Sequence, residues 1–114
     1  MNVSWSERAL AEFADAAVYV AREFGQQTAL KMRASINEAI LSIMQFPQIG
    51  KVCFSDEELS IDFRELVVKL SSVIYVIHEE EIYIVTEDRH YDVLREVEFP
   101  KVDIIGLDEA MKIL

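Results

Sequence analysis

The spacing of apolar residues predicts the elements in the first part of the chain. From Glu7 to Phe24, and again over residues 26–46, apolar side chains recur in steps of three and four. This spacing predicts two helices with one apolar stripe each. Ser6 is the predicted N-cap of the first helix, Gly25 separates the two helices, and Pro47 ends the second. The pattern therefore predicts an antiparallel αα-hairpin.

The predicted core positions are Leu10, Phe13, Ala17, Val20 and Phe24 on the first helix and Ala29, Met32, Ile36, Ile40 and Ile43 on the second.

Three apolar runs follow in close succession, at residues 66–70, 73–77 and 82–85. β-Branched and aromatic residues dominate them, which favours strands over helix. The breaks at residues 71–72 and 79–81 are short enough for hairpin turns. These runs therefore predict an antiparallel meander that begins near Phe63.

The middle run, residues 73–77, is apolar on both of its faces, because side chains alternate along a strand. A sheet that is covered on one side only alternates apolar with polar residues. The pattern therefore predicts that both faces are covered, one by the αα-hairpin and the other by something else.

The remaining segments predict short elements. Residues 1–5 and 52–54 are predicted strands, the first at the sheet edge, and the acidic residues 55–58 are a predicted loop. Residues 93–99 predict a further edge strand, Pro100 and Gly106 bracket a predicted loop, and residues 108–114 predict a short closing helix. We interpret the chain as one domain, with a core over about residues 1–92 and a tail over residues 93–114.

Composition narrows the class of protein. At 52% hydrophobic residues the chain is not a disordered one. No apolar run approaches the roughly 18 residues that a membrane span needs, and residues 1–8 lack the features of a signal peptide, so we expect a cytoplasmic protein. Cys53 is the only cysteine and is predicted to be a small, partly buried apolar residue. No spacing of His, Cys, Asp and Glu indicates a metal site, and no cofactor is expected.

The formal net charge of −10 is unevenly distributed, with −1 on residues 1–50 and −9 on residues 51–114. Binding of nucleic acid depends on Lys and Arg side chains that neutralise phosphates. The acidic balance therefore argues against direct binding of nucleic acid.

Five short segments occur in a characteristic order: Val3-Ser4-Trp5-Ser6 with Ala9, Phe46-Pro47 with Gly50-Lys51, Arg64-Glu65-Leu66, Val73-Ile74-Tyr75-Val76-Ile77 and Ile82-Tyr83-Ile84-Val85. Taken in order, these segments resemble the RelE/ParE superfamily of toxins from bacterial toxin–antitoxin systems, often labelled plasmid stabilisation proteins. Their order and spacing are closer to the ParE side than to the RelE side. The resemblance implies an α+β fold, in which an N-terminal strand and an αα-hairpin pack on a curved antiparallel sheet.

ParE-like toxins bind and inhibit DNA gyrase, so the resemblance implies a toxin that acts by binding a protein and is neutralised by a cognate antitoxin. The antitoxin would then cover the second face of the sheet, and self-association through that face is the alternative. The predicted partner-binding residues are Lys51, Arg64, Lys69, Ile74, Val76 and Tyr83.

RelE-like toxins instead cleave mRNA on the ribosome, with Lys and Arg holding phosphates and a Tyr or His transferring a proton. Under this alternative the catalytic residues are Arg64, Arg89, His90 and Tyr91. Carboxylates interleave with these cations and oppose an RNA phosphate, and Arg95 stands near the place of the late tyrosine that RelE-like enzymes keep.

A second alternative is a non-toxic binding or oligomerisation module of the same fold, in which the tail covers the surface that a target would use. If the protein acts by binding, as ParE-like toxins do, no catalytic set is needed: Arg64 and Glu65 would form a surface ion pair of little energetic weight, and His90 would be a solvated or capped residue at a strand end.

Overall fold

The computed structural model describes residues 2–58, 60–68, 71–85 and 104–106, which form two helices beside one six-stranded sheet. In chain order the elements are β1 (Asn2–Ser6), α1 (Glu7–Phe24), α2 (Gln26–Gln45), β2 (Lys51–Asp56), β3 (Ile61–Val68), β4 (Ser71–His78), β5 (Glu81–Val85) and β6 (Ile104–Gly106). The strand order is β2-β3-β4-β5-β1-β6. β1 runs parallel to β5, and the other neighbouring strands are antiparallel. The predicted α+β class is confirmed, with a mixed sheet.

The helices begin and end where the sequence predicts, to within one residue. The Ser6 hydroxyl accepts a hydrogen bond of 3.0 Å from the backbone N–H of Ala9, as expected for an N-cap. Gly25 has a φ of 96° and donates its N–H to the carbonyl of Ala21, which ends α1 and turns the chain into α2. These two caps fix the antiparallel αα-hairpin.

The first face of the sheet holds the main core. Buried side chains of both helices meet buried side chains of β1, β4 and β5, among them Trp5, Ile36, Ile40, Ile43, Tyr75 and Ile82. The second half of α1 departs from the predicted stripe, because Phe24 is 65% exposed. Leu10 is buried at the start of the helix, whereas Ala17 and Val20 are only half-buried.

The second face carries a separate apolar cluster that consists of strand residues only: Ile61, Phe63, Ile74, Val76, Tyr83 and Val85. Each is at most 7% exposed within the single chain. The sequence predicts apolar residues on both faces of the central strand, and the structure buries them on both.

Several predicted bounds are wrong at the strand ends. Ser71 and Ser72 lie in β4 rather than in a turn, and Glu81 lies in β5. Asp56 lies in β2, where its side chain is 2% exposed, although the sequence placed it in a solvated loop. In each case pairing with a neighbouring strand extends the element past its apolar run.

β1 is also not the predicted edge strand, because β6 pairs with it on the side away from β5. Residues 104–106 therefore form a strand at a position where the sequence predicted a loop. The predicted strand at residues 93–99 and the predicted helix at residues 108–114 lie outside the described residues.

Cys53 is exposed, contrary to the predicted partial burial. The pairing of β2 with β3 shifts register between Val52 and Phe54, so a β-bulge lies at Cys53 on an edge of the described sheet. The thiol donates a hydrogen bond of 3.3 Å to the carbonyl of Phe63. Local desolvation and, to a smaller extent, the carboxylate of Glu65 raise the pKa of Cys53 above its ordinary value.

The turn between β4 and β5 consists of Glu79 and Glu80, which have φ values of 48° and 66°. Two positive φ angles in a two-residue loop are typical of a type I′ turn, which prefers Asn-Gly. Glutamates in this conformation are strained by their Cβ atoms. In the described part of the chain, no helix is long and apolar enough to cross a membrane.

Candidate functional site

The turn between α2 and β2 is held by a buried tyrosine of the central strand. The hydroxyl of Tyr75 accepts a hydrogen bond of 2.9 Å from the N–H of Gly50 and donates one of 2.6 Å to the carbonyl of Pro47. Tyr75 is fully buried. Burial raises the pKa of its hydroxyl, and the Gly50 N–H and the charge of Arg64 partly oppose that rise. One side chain thus satisfies two backbone groups 25 and 28 residues away.

Gly50 is required here by the close approach of Tyr75. A Cβ atom at this position would lie 2.8 Å from both Cε1 and the hydroxyl oxygen of Tyr75, and 3.0 Å from the carbonyl oxygen of Glu65. These distances are shorter than ordinary van der Waals contact, and Tyr75 is enclosed by the core. Position 50 of the turn therefore requires glycine, because a Cβ atom there would collide with Tyr75.

Arg64 of β3 completes this arrangement. One guanidinium nitrogen donates to the carbonyl of Gly50 at 2.8 Å and lies 3.4 Å from the carbonyl of Gln48. The expected ion pair with Glu65 does not form in the described structure, because successive strand residues point to opposite faces. Arg64 therefore has a structural contact on the turn, whatever else it does.

The same turn presents apolar side chains to solvent. Phe46 is 61% exposed and Ile49 is 46% exposed, and Lys51 is exposed beside them at the start of β2. We call Phe46, Ile49 and Lys51 the turn surface. An aromatic ring, a branched aliphatic chain and a cation on a firmly held turn are suited to binding another protein.

A second exposed apolar feature runs between the helices. This helix groove has a volume of about 290 Å³, and four alanines, Ala14, Ala17, Ala21 and Ala29, lie along it. Val18 and Leu30 also line it and are 55% and 52% exposed. Small residues allow a partner backbone to approach closely, so the groove has the shape and polarity to accept the apolar face of a helix.

The structure separates the predicted partner-binding residues. Lys51 is exposed, and Arg64 on β3 is half-buried and contacts the turn. Ile74, Val76 and Tyr83 lie on the second face and are 4%, 0% and 7% exposed in the single chain. A partner would therefore reach these three only after displacing whatever covers them.

Of the predicted catalytic residues, only Arg64 is described; Arg89, His90 and Tyr91, together with the predicted partner-binding Lys69, lie outside the described residues. Residues 2–58, 60–68, 71–85 and 104–106 contain no group of His, Cys, Asp and Glu side chains that could hold a metal ion.

The sequence analysis missed Tyr75 as a functional position, because an apolar pattern counts tyrosine as a core residue and does not assign a role to its hydroxyl. A signal was present in Pro47 and Gly50, which mark a turn that needs hydrogen-bond partners for its backbone.

A family model of the ParE toxin of the type II toxin–antitoxin system parDE matches residues 3–90. The matched range begins in β1 and includes both helices, strands β2 to β5 and the turn that Tyr75 holds. Neither the comparison with curated proteins nor that with solved structures gave a match. Since the family model covers most of the chain, this protein belongs to the ParE toxin family of type II toxin–antitoxin systems.

Proposed function

We propose that this protein is a bacterial toxin that inhibits DNA gyrase by binding it in the cytoplasm and that a cognate antitoxin neutralises it. The observation that carries the proposal is the match of the ParE toxin family to residues 3–90. Inhibition by binding needs a stable interaction surface and no catalytic group. An acidic protein with a net charge of −10 is compatible with a protein target.

The turn surface is the proposed contact with gyrase. Tyr75 and Arg64 hold the backbone of this turn through hydrogen bonds from the sheet. Because the turn is already ordered, binding through Phe46 and Ile49 would cost little conformational entropy of the backbone. Replacing Ile49 by Thr should weaken inhibition of gyrase while the fold is kept. Val67→Thr is the matched control, because Val67 is 71% exposed on β3 and lies outside the turn.

The helix groove is the proposed contact with the antitoxin. An amphipathic segment would place its apolar side chains between Val18 and Leu30, over the alanines. Leu30→Glu should weaken binding of the antitoxin, because it puts a charge at the rim of an apolar contact. Leu41→Glu is the matched control, since Leu41 is on the same helix, is 59% exposed and does not line the groove.

The deciding experiment is tightly induced expression of this chain alone in bacteria, followed by viable counts and a supercoiling assay with purified gyrase. We expect loss of viability, an induced DNA-damage response, intact transcripts and inhibited supercoiling. Co-expression of the adjacent reading frame should restore growth.

If transcripts are cut in a translating extract, and if this cleavage is lost on Arg89→Ala or His90→Ala, the ribonuclease alternative replaces gyrase inhibition. Normal growth with abundant folded protein would favour a non-toxic module. In that case, deleting residues 101–114 tests whether the tail occludes the target surface.

A further inference from the structure

A cleft of about 240 Å³ lies between the helices and the sheet, away from the turn surface, and shares Phe13 with the helix groove. Its walls come from α1, α2 and the ends of three strands, with Phe13, Ala16, Met32 and Ile84 among the lining residues. An apolar cavity of roughly 150 Å³ is large enough for benzene, and drug-sized ligands use about 300 Å³ or more. The volume therefore fits a compound with a single ring.

Trp5 also lines this cleft, and its buried indole nitrogen has no hydrogen-bond partner among the described residues. The residue is 2% exposed, and its ring packs against Phe13 with centroids 5.9 Å apart. Buried donors are normally paired, so an unpaired one at the wall of a cleft is a candidate contact for a ligand. The missing partner is a hydrogen-bond acceptor.

The side chains that line the cleft together with Trp5 include those of Phe13 and Met32. Phe13 is half-buried, and Met32 has an unbranched side chain that changes rotamer readily. A ring that enters the cleft would displace these side chains from the wall and bring its acceptor to the donor.

The polar groups of the cleft limit the charge of the ligand. Glu12 lines it, with a carboxylate that is 43% exposed and lies 3.9 Å from Arg8, and the whole chain has a net charge of −10. An anionic acceptor would be repelled, whereas a ketone, ether or hydroxyl oxygen would not.

We propose that this cleft binds a neutral single-ring compound whose oxygen accepts a hydrogen bond from the indole N–H of Trp5. Binding here does not depend on the toxin activity proposed above.

The test uses the full chain labelled with ¹⁵N, in which Trp5 is the only tryptophan and gives a single indole N–H resonance. Three probes separate the requirements: acetophenone has a ring and a neutral acceptor, ethylbenzene has the ring alone, and benzoate has a charged acceptor. We expect a saturable shift of the indole resonance with acetophenone. One net hydrogen bond is worth a factor of about five in affinity, so ethylbenzene should bind about five-fold more weakly.

Two variants locate the binding. Ala16→Leu places a larger side chain in the cleft and should abolish the shift. Ala11→Leu makes the same change at another exposed alanine of α1, which does not line the cleft, and should leave the shift intact. A far-UV circular dichroism spectrum and a thermal midpoint like those of the unmodified protein show that both variants are folded.

Three results would overturn the proposal. The first is no saturable shift with acetophenone, and the second is equal affinity for acetophenone and ethylbenzene, which would leave the indole donor without a role. The third is binding that survives Ala16→Leu, which would place the ligand elsewhere.

Discussion

Replacement of Tyr75 by Phe removes one oxygen atom and leaves the ring in place, so it isolates the two hydrogen bonds that hold the turn between α2 and β2. The N–H of Gly50 would lose its acceptor in a buried position, and the carbonyl of Pro47 would lose its donor. Each such bond contributes about 0.5–1.5 kcal/mol net, and a buried group left unpaired costs about 1–3 kcal/mol. We therefore expect the free energy of unfolding to fall by about 2 kcal/mol.

Urea denaturation followed by far-UV circular dichroism measures this change, provided that the dependence on urea concentration is the same for both proteins. With an unfolding entropy of about 2.1 cal/mol/K per residue, 2 kcal/mol corresponds to a fall of about 8 °C in the thermal midpoint. Tyr19→Phe is the matched control, because Tyr19 is 59% exposed on α1. A surface substitution of this kind changes stability by about 0.5 kcal/mol at most. Equal stabilities of the two variants would refute the role assigned to the Tyr75 hydroxyl.

The same geometry makes three further predictions. Gly50→Ala should lower the unfolding free energy by about 1–3 kcal/mol, because the new Cβ overlaps the enclosed ring of Tyr75. A stability equal to that of the unmodified protein would contradict the close approach of Tyr75 to Gly50. Glu80→Gly should raise the unfolding free energy of the protein by about 0.5–1 kcal/mol. Glycine avoids the roughly 1–2 kcal/mol cost of a positive φ, but it also favours the unfolded state by about 0.5–1 kcal/mol of chain entropy. A lower thermal midpoint in this variant would count against strain in the turn. Because the pKa of Cys53 is raised, iodoacetamide at pH 8 should alkylate this thiol more slowly than it alkylates free cysteine. Glu65→Gln should increase the rate of alkylation, because it removes a charge that raises the pKa. An unchanged rate in that variant would exclude the effect of the Glu65 carboxylate.

The helices and the presence of the meander could be predicted because local spacing determines them. A stripe with a period near 3.6, a serine before it and a glycine after it are sufficient to place α1. The two-faced apolar pattern of β4 likewise predicted a strand covered on both sides, and the structure buries Ile74 and Val76 on the second face.

The parts that failed depend on contacts between distant segments. The pairing of β1 with β6 joins residues about a hundred positions apart, and no local pattern marks it. Ser72 lies in a strand only because β3 pairs with it through Val67. The exposure of Cys53 follows from a bulge on an edge strand, which the sequence of β2 does not indicate.

The site was predictable only in part, for the same physical reason. Lys51 and Arg64 were identified from the sequence, but the purpose of Arg64 at the turn depends on the position of Gly50 in space. The helix groove requires knowledge of how α1 and α2 face each other, because its alanines come from both helices.

The placement of β1 between β5 and β6 has a consequence for the synthesis of this protein. β1 leaves the ribosome before the other described strands, yet its two neighbours in the sheet are residues 81–85 and 104–106. The αα-hairpin and the meander need only nearby contacts and form early, whereas β1 joins last. Until residues 81–85 have emerged, Trp5 has no strand beside it, so in nascent chains that end before residue 81 we expect its indole to be accessible to a quencher. The growing chain thus exposes its main core until β5 has emerged, and this is when it is most open to proteases and aggregation.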